Sequence, residues 1–96
     1  MSAQDSIAVG RRVLEAEAEG LKRLAETLDG AFAEAVEVLF AAKGRIVCTG
    51  MGKSGHVARK IAATMASTGS AAMFVHPGEA SHGDLGMIGT DDVILA

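Results

Sequence analysis

The residues with the most chemistry in this chain stand side by side in Gly50-Met51-Gly52-Lys53-Ser54-Gly55, followed by His56. An ammonium and a hydroxyl sit inside a turn whose glycines leave backbone N–H groups open. Such a turn can surround one anion with N–H, O–H and N⁺–H donors. A second polar group lies downstream in His76-Pro77-Gly78-Glu79-Ala80-Ser81-His82-Gly83-Asp84. Two histidines with Glu79 and Asp84 can move protons or meet a metal, although their spacing matches no closed zinc site.

Three chemistries compete for the glycine turn. Gly50, Gly52 and Gly55 match the dinucleotide spacing G-x-G-x-x-G. That reading needs an acid at the end of the next strand to hold a ribose, and the strand ends instead in His76-Pro77. A nucleoside-triphosphate P-loop needs a glycine where Val47 stands. A small phosphorylated ligand fits better: Ser54 and nearby N–H groups hold oxygens, and Lys53 faces the reacting end. A plain tight turn carrying a surface lysine is the bland alternative.

The flanking elements must position these groups. Ile46-Val47-Cys48 is a short apolar run before the turn, expected as a strand from Arg45 to Thr49 covered on both faces. A helix rich in small residues is expected from about Ser54 to Thr68, with Gly69 ending it. A second strand is expected over residues 71–76, a loop or short helical turn over 79–88, and a third strand over 92–96. Strand, helix, strand, loop, strand implies an α/β fold with a parallel sheet and right-handed crossovers. Ahead of it, Ile7, Leu14, Leu21 and Leu28 recur every seven residues and predict an amphipathic helix over 6–28, capped by Asp5 or Ser6. Asp29-Gly30 breaks it, and a second helix over 31–42 should stop near Gly44. The organisation expected is a helical lead-in over 1–44 and an α/β part over 45–96.

With 96 residues and a 49% apolar share, the chain is a small globular domain at most. Only three phenylalanines supply aromatic mass, so the core must be aliphatic. A net charge of −3 without a basic run argues against nucleic acid as a partner. No apolar run suits a membrane span or a signal peptide, and Cys48 has no internal disulfide partner, so a cytoplasmic protein is expected.

Four blocks in order resemble a known family: Gly50 to His56, Ala63 to Gly69, Phe74 to Ala80, and His82 to Met87. They are similar to the arabinose-5-phosphate isomerases of the KpsF/GutQ group, which are sugar isomerase (SIS) domain proteins. The resemblance implies a flavodoxin-like, Rossmann-type SIS fold. It also implies interconversion of D-ribulose 5-phosphate and D-arabinose 5-phosphate, which supplies Kdo for lipopolysaccharide, without an organic cofactor. By the same resemblance Lys53 is the catalytic lysine. Gly69, Ser70 and His82 contact substrate, and His76 marks a position where the family can bind zinc. Ser54 is a further ligand contact on its own geometry. Family members assemble as homo-oligomers, typically tetramers.

The chemistry suits those residue types. Aldose–ketose isomerisation passes through an enediol(ate) and needs an acid/base group, a donor or cation for the oxyanion and a phosphate anchor. The family's phosphate loop would follow the third strand, directly after Ala96, and its C-terminal CBS domains would come later. The 96 residues are therefore expected to be the front part of a longer protein and inactive alone. A non-catalytic phosphosugar sensor and a dinucleotide-binding fragment are the alternatives. The sensor could dispense with Lys53 and His82, and both are present.

Overall fold

The computed structural model describes residues 2–80 and 83–96, and falls into two compact units, residues 1–34 and 35–96. The first unit is built on α1 (Ala3–Thr27). It begins three residues earlier than the periodicity suggests. Ser2 is the cap: its hydroxyl accepts from the Asp5 N–H at 3.1 Å, and the Asp5 carboxylate accepts from the Ser2 N–H at 3.2 Å. Asp5 is therefore the partner in a capping box rather than the cap, which satisfies two orphan donors at once. The next helix, α2 (Gly30–Phe40), starts where Asp29 takes the Ala31 N–H onto its side chain at 3.0 Å.

The second unit contains the rest of α2 from Ala35, and the expected division at 44/45 falls inside it. Its sheet holds β1 (Ile46–Cys48), β2 (Ala72–Phe74) and β3 (Val93–Leu95) in the order β2-β1-β3, all parallel. Ile46, Val47 and Cys48 pair with Ala72, Met73 and Phe74 on one side and with Val93, Ile94 and Leu95 on the other. The central strand is buried throughout, as an apolar run between two neighbours should be. Between β1 and β2 runs α3 (Gly52–Ser67). Between β2 and β3 lie α4 (Pro77–Ala80) and a 3-10 turn, Asp84–Met87.

Small residues let α3 lie close on the sheet. Gly55, Ala58 and Ala62 form its buried stripe. Ala58 and Ala62 pack with Ile46 and Cys48, and Leu39, Ile61, Met65, Phe74 and Leu95 close around them. Val47 points the other way, into a space shared with Val75, Pro77, Ile88 and Ile94. This alternation follows from the two-residue period of a strand. Cys48 has no exposed surface, and burial pushes its thiol up from the ordinary value. We expect Cys48 to resist alkylation in the folded protein and to react at the rate of a free thiol in urea, as followed by mass spectrometry.

A clamp at the amino ends of the strands holds β1 and β3 in register. The Asp92 carboxylate accepts the Arg45 N–H at 2.6 Å and the Gly89 N–H at 2.7 Å, and Arg45 Nη2 donates to the Met87 carbonyl. A side chain at Gly44 would overlap the Asp92 carboxylate. The Gly89 N–H, then the Arg45 N–H, hold the Asp92 carboxyl below the usual carboxylate range. A lowered folded pKa means this contribution is complete above the ordinary carboxylate value and is lost as pH falls through the lowered one. Asp92→Asn should therefore lower the melting midpoint at neutral pH and flatten its decline in acid, which a thermal melt series against pH reads directly.

Candidate functional site

The turn after β1 is shaped by close backbone packing. A Cβ on Gly55 would stand 2.6 Å from the Gly50 carbonyl oxygen, and a Cβ on Gly50 would stand 2.9 Å from the Ser54 carbonyl carbon. The glycines at 50 and 55 let the end of β1 touch the first turn of α3. Gly52 takes φ +57°, a conformation that side chains resist. Helix α3 begins at Gly52, not at Ser54, so Lys53 belongs to its first turn. A cation there opposes the positive end of the helix dipole, by roughly 0.3–1 kcal/mol at an exposed site. An anion shared between the helix end and the ammonium reverses that sign.

Lys53 and Ser54 line one cleft of about 440 Å³ with Thr49, Gly50, Val57, Ala58, Ile61, Leu95 and Ala96. It lies over the carboxyl ends of β1 and β3. In the order β2-β1-β3 the chain leaves β1 toward one side and returns on the other, so these strands flank the topological switch point where open parallel sheets bind ligands. Thr49 braces this edge: its N–H donates to the Leu95 carbonyl at 3.0 Å and its hydroxyl to the Val75 carbonyl at 2.6 Å. Sequence reasoning does not single out Thr49. Its only signal is a hydroxyl ending an apolar strand, immediately before the first glycine.

The other expected site residues do not all converge here. Gly69 (φ +103°) and Ser70 follow the far end of α3. Lys53 is the second residue of the 16-residue helix, so that end lies roughly 21 Å from it along the axis. Ser70 instead faces a small cleft with Leu39, Phe40, Gly44 and Ile46 at the amino edge of the sheet. Within this chain Lys53 and Ser70 therefore line different clefts, because a crossover helix puts its two ends on opposite edges of the sheet. His82 lies outside the described residues.

His76 ends the segment after β2 and lines a separate cleft with Gly50, Gly52, Gly55, His56, Arg59 and Phe74. Its Nδ1 accepts the Gly78 N–H at 3.0 Å, so in the neutral ring Nε2 carries the hydrogen and presents a donor. A metal ligand must present a lone pair. Among the described residues, no group of three or more His, Cys, Asp or Glu could hold a metal ion. The described residues therefore do not fit zinc at His76. Also among them, no helix is long and apolar enough to cross a membrane.

Comparison with known proteins places this geometry. Residues 39–96 match the SIS domain family. The chain is 56% identical over 87 residues to arabinose 5-phosphate isomerase KdsD of Yersinia pestis, covering 91% of this chain and 26% of that protein. It is 53% identical over 92 residues to KdsD of Pseudomonas aeruginosa, covering 96% and 28%. Thus it spans about a quarter of the length of these curated relatives. Among solved structures, E. coli CFT073 c3406 in complex with arabinose 5-phosphate superposes with a TM-score of 0.90 at 41% identity, over 98% of this chain and 50% of that one. A structure from Listeria monocytogenes, described as a candidate sugar-phosphate isomerase, superposes with a TM-score of 0.88 at 30% identity, over 98% and 50%.

Proposed function

Because this chain belongs to the SIS domain family, we propose that it forms part of an aldose–ketose isomerase acting on a pentose 5-phosphate, interconverting D-arabinose 5-phosphate and D-ribulose 5-phosphate. The observation that carries this reading is Lys53 in the first turn of α3, lining with Ser54 the cleft where β1 and β3 end. The relatives' activity and the neighbour bound to arabinose 5-phosphate support the choice of substrate.

The reaction moves one proton between C2 and C1 and one between the adjacent oxygens, so it needs no external oxidant or organic cofactor. Removal of the carbon-bound proton leaves an enediolate whose negative charge grows on oxygen. The Lys53 ammonium is placed to offset that charge, which favours the transition state over the bound sugar. The Ser54 hydroxyl donates to or accepts from a sugar oxygen and orients the carbon chain. Val57, Ala58, Ile61 and Leu95 give the cleft an apolar wall, where charge interactions are stronger than in water.

The working form is proposed to be a cytoplasmic homo-oligomer. Helix α1 carries Leu14 and Leu21 at 67% and 70% exposure, a seven-residue stripe suited to a subunit contact. The test is turnover of D-arabinose 5-phosphate to the ketose by the protein that carries this sequence. Conversion supports the isomerase. Tight binding without conversion replaces it with a phosphosugar sensor.

A further inference from the structure

We propose that the cleft bounded by His56, Arg59 and His76 is a second oxyanion site, separate from the Lys53 cleft, that takes the phosphate group of a small molecule. The cleft holds about 250 Å³, and among the described residues no acidic side chain lines it. The Arg59 guanidinium carbon lies 4.1 Å from the centroid of the Phe74 ring. This cation–π contact anchors the guanidinium over the ring and leaves its N–H groups able to donate. The planar guanidinium fork matches two oxygens of one phosphate.

The two histidines add donors of the same kind. His56 stands three residues before Arg59 on α3, one turn away on the same side of the helix. His76 reaches the cleft from the end of β2. Its Nδ1 is taken by the Gly78 N–H, and its ring packs so near Gly78 that a Cβ there would stand 3.1 Å from Nδ1. The ring is thereby held with Nε2–H as its available polar group, which suits an oxygen acceptor. The ion pairs of the described residues, Arg23–Glu19 and Arg45–Asp92, leave Arg59 without a competing carboxylate. Gly50 borders both clefts, so the glycine turn is the wall between them. The phosphate site does not depend on turnover in the neighbouring cleft.

Isothermal titration of the protein that carries this sequence with inorganic phosphate tests it. Phosphate should bind the wild type and Lys53→Ala with similar affinity. Arg59→Gln should weaken binding about tenfold or more, the effect of one lost charge-assisted contact. Arg59→Lys, which keeps charge but loses the fork, should fall between. His56→Gln leaves the Phe74 stack untouched and should also weaken binding, so the conclusion does not hang on one variant's folding. Phosphate binding that vanishes in Lys53→Ala, that is unchanged in both Arg59→Gln and His56→Gln, or that is absent from the wild type at millimolar phosphate overturns the site.

Discussion

On the proposed isomerase reading, replacing Lys53 with alanine in the protein that carries this sequence will lower turnover of D-arabinose 5-phosphate by about 10²–10³-fold, the usual cost of removing one preorganised oxyanion partner. The Michaelis constant will move much less, because the ammonium acts on charge that develops only at the enediolate. The change should leave the fold intact. Lys53 is exposed and makes no core contact, and removing a cation from the first turn of α3 slightly favours the helix. A steady-state assay beside a circular-dichroism melt separates the two effects. Loss of turnover with an unchanged or raised melting midpoint is the expected pair. Turnover kept within tenfold of wild type would remove Lys53 from the chemistry.

Gly55→Ala will do the opposite, damaging the fold and the site together. The added methyl would meet the Gly50 carbonyl oxygen at 2.6 Å, backbone against backbone, where no side chain can rotate aside. The turn or the whole of α3 must shift, and overpacking of this kind costs about 1–3 kcal/mol. Gly55 is one of the buried residues by which α3 lies on the sheet, so a shift there also disturbs Ala58 and Ala62 against Ile46 and Cys48. Since Lys53 stands two residues before Gly55, the cleft loses its geometry as the helix moves. The melting midpoint should drop by several degrees, and residual activity should fall even in the fraction that stays folded. A melt and a specific-activity measurement on the soluble fraction check both. An unchanged midpoint would mean that the turn and helix are not in the close contact described.

Local patterns make much of this legible. Ile46-Val47-Cys48 reads as a strand covered on both faces, and its neighbours on either side bury it. The glycine spacing reads as a tight strand-to-helix turn, and the Gly50–Gly55 approach explains two of its three glycines. Boundaries are less legible. Periodicity misses Ser2 as a cap because the apolar stripe of α1 begins only at Ile7, while the capping box is a pairing of Ser2 with Asp5 that no stripe registers. Glycine's low helix propensity puts the expected start of α3 too late. The Gly50–Gly55 contact outweighs that preference and brings Lys53 into the helix.

Element types, the parallel α/β arrangement and the tight strand-to-helix form of the glycine turn all follow from residue order alone. Each rests on neighbours a few residues apart: the two-residue period of strands, the stripe of small residues along α3, and the stereochemistry of glycine. Which groups meet is a matter of packing in three dimensions. The fold sets Lys53 and Ser54 beside Thr49, Leu95 and Ala96, sends Gly69 and Ser70 to the opposite edge, and lays Arg59 over Phe74. These pairings join residues up to 47 positions apart, as the Arg45–Asp92 clamp does. They depend on strand order and register, which are set by how the crossover helix packs on the sheet, and no local periodicity encodes that packing.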